Sequence, residues 1–201
     1  MESYGLVMLA AGSSNRMGQP KQLLAYRGRA LIEYILQIAL SSICKQIAVV
    51  LGANADQILP YVQQQDVLIV QNKDWKEGMA SSIRCGLSAL TNQFPSLAGA
   101  IFMVCDQPFV SVSLINDLVD KKKSTGKSII ACTYKETMGT PALFSSMHFP
   151  ELMQLQGQDG AKKILWQHAG ELETISFPMG YIDIDTMQDY QNLGSLAGGE
   201  G

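Results

Sequence analysis

The stretch Leu9-Ala10-Ala11-Gly12-Ser13-Ser14-Asn15-Arg16-Met17-Gly18-Gln19-Pro20-Lys21 combines small residues with two well-separated cations. Small side chains let backbone N–H groups close in on a ligand, and consecutive amides in such a turn form a concave anion site. Arg16 suits planar bidentate contacts to phosphate oxygens, and Lys21 suits a point contact. The chemistry this spacing serves is the cradling of a polyphosphate. Neither of the commoner glycine-rich loops fits. A Walker loop needs Gly-Lys followed by Ser or Thr, whereas Gln19 and Pro20 part Gly18 from Lys21, and Gln22 follows. A dinucleotide loop needs G-x-G-x-x-G, and Ser14 stands where the second glycine would be.

Two acids stand out. Asp106 ends the apolar run 97–105 and precedes Gln107-Pro108, where proline pre-sets a turn. A carboxylate at the end of a central strand, facing a phosphate loop, suits Mg²⁺, which takes one or two carboxylates together with phosphate oxygens and waters. The alternative is that Asp106 merely satisfies its turn. Asp185 lies in Tyr181-Ile182-Asp183-Ile184-Asp185-Thr186-Met187-Gln188-Asp189. This alternation reads as a strand with its carboxylates on one face, or as a helix start at which Asp185 is the N-cap beside Thr186 and Asp189. Between these acids and the loop lies a polar segment, residues 71–82. Its Gly78 would admit a flat base to the backbone, and Ser81 or Ser82 would bond the base edge; the other reading has both serines capping a helix. His148 and His168 each stand alone in the sequence and receive no role.

The elements that must position these groups follow from periodicity. Residues 4–9 form an apolar strand running into the loop. Residues 30–42 carry apolar side chains at helical spacing (Leu31, Ile32, Ile35, Leu36, Ala39, Leu40). Residues 46–51 form a second strand, Asn54 caps a helix over 55–62 that Pro60 shortens or bends, and 67–70 form a third strand. Met79, Ile83, Leu87 and Leu90 share one helical face, and 97–105, the most apolar strand, is central. Ser111 caps a helix over 112–123, whose Lys121-Lys122-Lys123 suits the negative helix end. Residues 128–134 form another strand, and Asp159 with Gly160 caps a helix through Trp166. Such alternation predicts an α/β fold, a three-layer, doubly wound, mostly parallel sheet of Rossmann-like type with helices on both faces. Ligands in such folds lie beyond the carboxyl ends of the strands. One domain spans 1–193, and 194–201 is a Gly-rich frayed tail.

The loop from Leu9 to Lys21, followed by Leu23-Leu24 and Gly28-x-x-Leu31-Ile32, resembles the signature L-A-A-G-x-S-x-R-M-G-x-x-K-x-L-L of the MobA-like nucleotidyltransferases. Within that group Ala10-Ala11-Gly12 is similar to the molybdenum-cofactor cytidylyltransferase branch, since the guanylyl-using branch usually has L-A-G-G. The resemblance extends to Asn72-x-x-Trp75-x-x-Gly78-Met79-x-x-Ser82, implicated in holding base and ribose, to Asp106-x-Pro108, and to Asp183-Ile184-Asp185-Thr186-x-x-Asp189-Tyr190. It implies CTP as the nucleotide, bound by Leu9, Ala10, Ala11, Gly12, Ser13, Arg16, Lys21, Asn72, Gly78, Ser81 and Ser82. It implies Mg²⁺ on Asp106 and Asp185, with Lys21, Arg16 and Asp106 as the catalytic groups. The implied acceptor is a phosphate monoester, molybdopterin or its molybdenum-loaded form, with a molybdoenzyme or its chaperone as recipient. Two positions depart from the pattern: Thr140 stands where relatives carry His or Asn, and Gln158 where the first acid of G-D-x-G-A usually stands. Competing readings are the same transfer to a sugar phosphate or alcohol phosphate, a non-catalytic nucleotide-binding maturation factor, and a doubly wound domain that binds no nucleotide.

Composition narrows the field further. Charged residues make up 16% of the 201 residues and the net charge is −3, which argues against a nucleic-acid partner with its basic face. The apolar runs fall far short of the roughly 18 residues of a membrane span. The N-terminal Met1-Glu2-Ser3-Tyr4 lacks the pattern of an export signal. Four cysteines lack C-x-x-C spacing, and the three in apolar or helical contexts read as small buried hydrophobes in a reducing, cytoplasmic setting.

Overall fold

The computed structural model describes residues 2–158 and 160–197. Strand β1 (Tyr4–Ala10) is buried at every position. Its alternate side chains belong to two separate cores: Leu6, Met8 and Ala10 on one face, Val7 and Leu9 on the other. A strand apolar on both faces must be covered on both, and the rest of the chain supplies that cover.

After β1 come a small hairpin of β2 (Ala25–Tyr26) and β3 (Arg29–Ala30), then α1 (Leu31–Leu40), β4 (Gln46–Leu51), α2 (Ala55–Val62) and β5 (Leu68–Gln71). The second half contains α3 (Met79–Gln93), β6 (Gly99–Val104), α4 (Val112–Thr125), β7 (Ile129–Tyr134) and β8 (Thr137–Ser145). It continues through α5 (Phe149–Leu152), α6 (Lys162–Gln167), β9 (Leu172–Ser176) and α7 (Met187–Ala197). Seven strands make one sheet in the order β5-β4-β1-β6-β8-β7-β9. β6 is its middle strand, as its apolar run predicts. Only β8 is reversed, antiparallel to both β6 and β7; every other pairing is parallel. Buried residues of α1, α2 and α4 pack with Leu6 and Met8, and those of α3, α5 and α6 with Val7 and Leu9. The three-layer α/β sandwich expected from the alternation is the fold.

Several local expectations meet different chemistry. Ser111 Oγ does accept from Leu114 N–H at 3.1 Å and caps α4. Asn54 makes no such cap; its amide is directed at Ser13 O, 3.5 Å away, and so faces the first loop. Pro60 sits inside α2, which still runs to Val62. Helix α7 runs to Ala197, past Gly194, and the remainder of the expected 194–201 tail lies outside the described residues. Asp159, the expected cap of α6, lies outside the described residues.

α3 approaches β1 and β4 closely because Gly86 has no side chain. A Cβ there would strike Val7 Cγ1 and stand 2.7 Å from Val50 Cγ2. Both valines are buried and β-branched, so neither gives way easily. Gly86→Ala is therefore expected to cost about 1–3 kcal/mol by overpacking, read as a lower urea midpoint at unchanged m-value.

Candidate functional site

The carboxyl ends of β1 and β6 open onto a cavity of about 750 Å³. Leu9, Ala10, Ala11, Gly12, Ser13, Asn15, Arg16, Lys21 and Gln22 line it from the first loop, and Val104, Cys105 and Asp106 from the end of β6. Trp75, Lys76, Gly78, Met79 and Ser82 line a third side; Gln158, Asp183 and Asp185 complete it.

The first loop keeps its shape through Gln22, a residue with no exposed surface. Its amide nitrogen donates to Ala10 O at 3.0 Å and to Gly12 O at 3.1 Å, and its amide oxygen accepts from Ser14 Oγ at 3.3 Å. Ser14, at φ 55°, accepts in turn from Lys21 N–H at 3.1 Å. Gly12 presents bare backbone on this side: a Cβ there would meet nothing within 4 Å.

Lys21 is the centre of the cavity's polar wall. Its ammonium donates to Asp106 Oδ2 at 2.5 Å and to Asp185 Oδ1 at 2.7 Å. Arg16, largely exposed, donates to the other oxygen of Asp185 at 2.8 Å. Burial alone would lower the lysine pKa; the Asp106 charge and the hydrogen bonds to both carboxylates outweigh it, and the pKa is raised. Burial likewise pushes Asp185 up, but Lys21 and Arg16 more than reverse this and hold it below its ordinary value. Asp183 goes the other way, raised by burial and by the charges of Asp185 and Asp106.

The two acids distant in sequence thus meet across one positive charge. What brings Asp185 there is neither of the sequence expectations. Residues 182–185 are not a strand, and Asp185 is not the cap of α7. Asp189 Oδ2 accepts from the backbone N–H of Asp185 and Thr186 and from Thr186 Oγ, while Thr186 Oγ accepts from Asp189 N–H. This reciprocal box occupies Thr186 and Asp189 and leaves the Asp185 carboxylate free. Ile184 N–H donates to Asp106 O at 3.1 Å, and Gln107 Nε2 donates to Gly180 O at 2.7 Å, so the segment is moored to the turn that carries Asp106.

On the opposite wall, Ser82 and Gly78 line the cavity but Asn72 and Ser81 do not. Asn72 is buried, and its amide donates to Ser81 Oγ at 2.8 Å and to Ser82 Oγ at 3.0 Å. Ser81 Oγ lies 2.8 Å from Gly78 O and 3.0 Å from Asp74 O. These two residues brace the wall from behind because their polar groups are already satisfied. Gly78 has a local reason to be glycine: φ is 120°, and a Cβ would stand 2.5 Å from Gly157 O. Thr140 donates to Gln107 Oε1 at 3.2 Å, beside the Asp106 turn. Asn15, Gln22, Lys76, Val104 and Cys105 are lining residues that neither charge nor the resemblance singles out. Their signal lies in the loops themselves, all of which follow strand ends or pack on them.

A doubly wound sheet with a small-residue loop, a lysine and two acids at its carboxyl edge is the architecture of a nucleotide-handling enzyme. Residues 6–172 match the family described as the MobA-like NTP transferase domain, and the chain belongs to that family. Relatives with different names share it. Over 114 residues the chain is 38% identical to nicotine blue oxidoreductase of Paenarthrobacter nicotinovorans, a match covering 56% of this chain and 54% of that one. The chain thus spans about half the length of that relative. It is 28% identical to purine catabolism protein PucB of Bacillus subtilis (strain 168), over 92% of each chain. It is 22% identical to molybdenum cofactor cytidylyltransferase of Escherichia coli (strain K12), over 94% of this chain and 95% of the other. Among solved structures, Rv0371c of Mycobacterium tuberculosis H37Rv superposes with a TM-score of 0.83 at 29% identity, covering 96% of this chain and 97% of that one. A complex of the same mycobacterial protein with manganese gives 0.74 at 27% identity, with the same coverage of both chains.

Two outcomes follow from the geometry. Gln22→Leu strands the carbonyls of Ala10 and Gly12, which should cost about 1–3 kcal/mol and speed amide exchange across residues 12–16 while protection of β1 persists. Because the Asp185 pKa is lowered, its bond to Lys21 contributes fully above the ordinary carboxylate value of 3.8 and is lost as pH falls through the folded value. An NMR titration of the Asp185 carboxyl should show a midpoint below 3.8, moving upward in Lys21→Ala.

Proposed function

We propose that the chain transfers a cytidylyl group from CTP to a phosphate-bearing acceptor, molybdopterin or its molybdenum-loaded form. The observation that carries this reading is the convergence of Asp106 and Asp185 on one ammonium beside the first loop. An oxygen of the acceptor phosphate bonds to the α-phosphorus of CTP as the bond from that phosphorus to the pyrophosphate oxygen breaks. A phosphate monoester is already ionised at neutral pH, so no protein base is required, and neither histidine lines the cavity. Catalysis is then positioning and charge neutralisation.

Asp106 and Asp185 would hold Mg²⁺. The donor set suits the ion: two carboxylates open to a polar cavity, arranged around a point at which positive charge already stands. When bound, it supplies Lewis acidity and offsets phosphate charge. Lys21 and Arg16 then serve the polyphosphate and the charge growing on the departing pyrophosphate, above the backbone of residues 9–13. Gly78 and Ser82 hold the base and ribose, with Asn72 and Ser81 fixing Ser82 from behind. The choice of CTP rests on Ala10-Ala11-Gly12, which matches the cytidylyl-using pattern, and the choice of acceptor on the same resemblance. The setting is cytoplasmic, with a molybdoenzyme or its chaperone receiving the product.

The match to a relative named as an oxidoreductase favours a second reading, in which the cavity binds a nucleotide or cofactor without transfer. Purified protein with CTP, GTP, ATP or UTP, Mg²⁺ and an acceptor panel separates the two. Transfer predicts pyrophosphate release with CTP and molybdopterin; binding alone predicts nucleotide saturation with no pyrophosphate under any acceptor. Lys21→Ala and Asp106→Ala should keep the circular dichroism of the parent and lose about 10²–10³ in turnover, the scale of removing one preorganised charge-stabilising group. Turnover near wild type in either variant would remove that residue from the mechanism.

A further inference from the structure

At the opposite end of the sheet, His148, Glu151 and His168 come together, each offering one ligand atom within 4.8 Å of the others. β8 ends at Ser145 opposite Gly99, where β6 begins, and runs directly into the turn holding His148. Glu151 lies on α5, and His168 follows α6. None of the three touches the nucleotide cavity.

The protons in this cluster can be placed. Ser128 Oγ donates to Glu171 Oε2 at 2.8 Å, which uses its only proton on an acceptor. The same oxygen stands 2.8 Å from His148 Nε2 and can therefore only accept, so Nε2 carries the imidazole proton. A neutral ring protonated at Nε2 has an unshared pair on Nδ1. That atom faces Glu151 Oε2 at 3.9 Å, acceptor against acceptor, and His168 Nε2 stands 2.8 Å from the same oxygen. His168 Nε2–H donates to that oxygen, while His148 Nδ1 faces it without a proton between them; a cation in place of the His168 proton would meet a lone pair from all three residues.

We propose that His148 Nδ1, Glu151 Oε2 and His168 Nε2 form a transition-metal site whose best occupant is Zn²⁺. Two imidazoles and one carboxylate are a three-ligand zinc set that leaves a fourth position for water, and the part exposure of Glu151 and His168 gives water access. Ser128 and Glu171 orient the His148 ring from behind, as outer partners of metal-bound histidines do. Mg²⁺ prefers all-oxygen ligands and has no claim on this site. Glu151 and His168 also flank the segment whose Gly157 and Gln158 reach the other end of the molecule. Gly157 O accepts from Ala80 N–H at 3.3 Å, and Gln158 lines the nucleotide cavity. Zinc would tie the two stems of that segment together.

The full chain, stripped with a chelator and kept in excess Mg²⁺, is titrated with Zn²⁺ by calorimetry and with Co²⁺ by visible absorption. The expected result is one Zn²⁺ per chain, the intense bands of four-coordinate cobalt, and a zinc-dependent rise in melting temperature. His168→Ala and Glu151→Gln, at part-exposed positions, should retain the fold and lose all three signals. Ser128→Ala should weaken zinc binding about 10–100-fold, the usual cost of an outer partner. Asp185→Asn should leave the zinc affinity unchanged. Equal zinc binding by wild type and His168→Ala, or loss of zinc binding in Asp185→Asn, would overturn the proposal.

Discussion

One ammonium group held by two carboxylates is the constraint on which the cavity depends. Lys21 is mostly withdrawn from solvent and has charged partners on both sides. Burial works against the charge on this lysine and the two acids more than offset it, while Lys21 and Arg16 together hold the Asp185 carboxyl below its ordinary value. Deleting any member leaves a charge without its partner, which is why the three are best regarded as one unit. A polyphosphate arriving at this wall would compete with the acids for Lys21. In the proposed reading, Asp106 and Asp185 would hold a divalent cation, and Lys21 would then be left to the phosphates.

The unit is assembled from three parts of the chain with different degrees of rigidity. Lys21 follows a loop fastened by the fully buried Gln22. Asp106 comes directly off the middle strand of a seven-stranded sheet. Asp185 belongs to neither; a main-chain hydrogen bond to Asp106 and a side-chain bond from Gln107 hold its segment. The apolar sheet fixes two corners of the site, and polar contacts fix the third.

The fold was legible because both cores come from continuous apolar strand runs and period-3.6 helix patterns that a sequence displays directly. The reversal of β8 was not, since a strand's direction depends on its neighbours and not on its own residues. The same distinction runs through the site. Gly12, Arg16, Lys21 and Asp106 could be found from local spacing, as they sit in or beside strand-end loops. The position of Asp185 could not, because its local pattern fits both a strand and a helix cap, and Thr186 with Asp189 meets the capping need in its place. Asn72 looked like a ligand-facing amide, yet two buried serines consume its donors. His148 and His168, twenty residues apart in number and each unremarkable alone, face one another at 4.7 Å between ring centroids. No one-dimensional pattern announces such a meeting.

The family match ends at residue 172, short of the stretch that contributes the second acid. That stretch joins no strand of the sheet; Phe177 and Ile184 tie it to the core, and the Asp185 side chain itself takes no part in that packing. Within a shared scaffold, a descendant could discard the acid, keep the fold and the phosphate loop, and take up different chemistry. Relatives bearing such dissimilar names are what a detachable corner of this kind would allow evolution to produce.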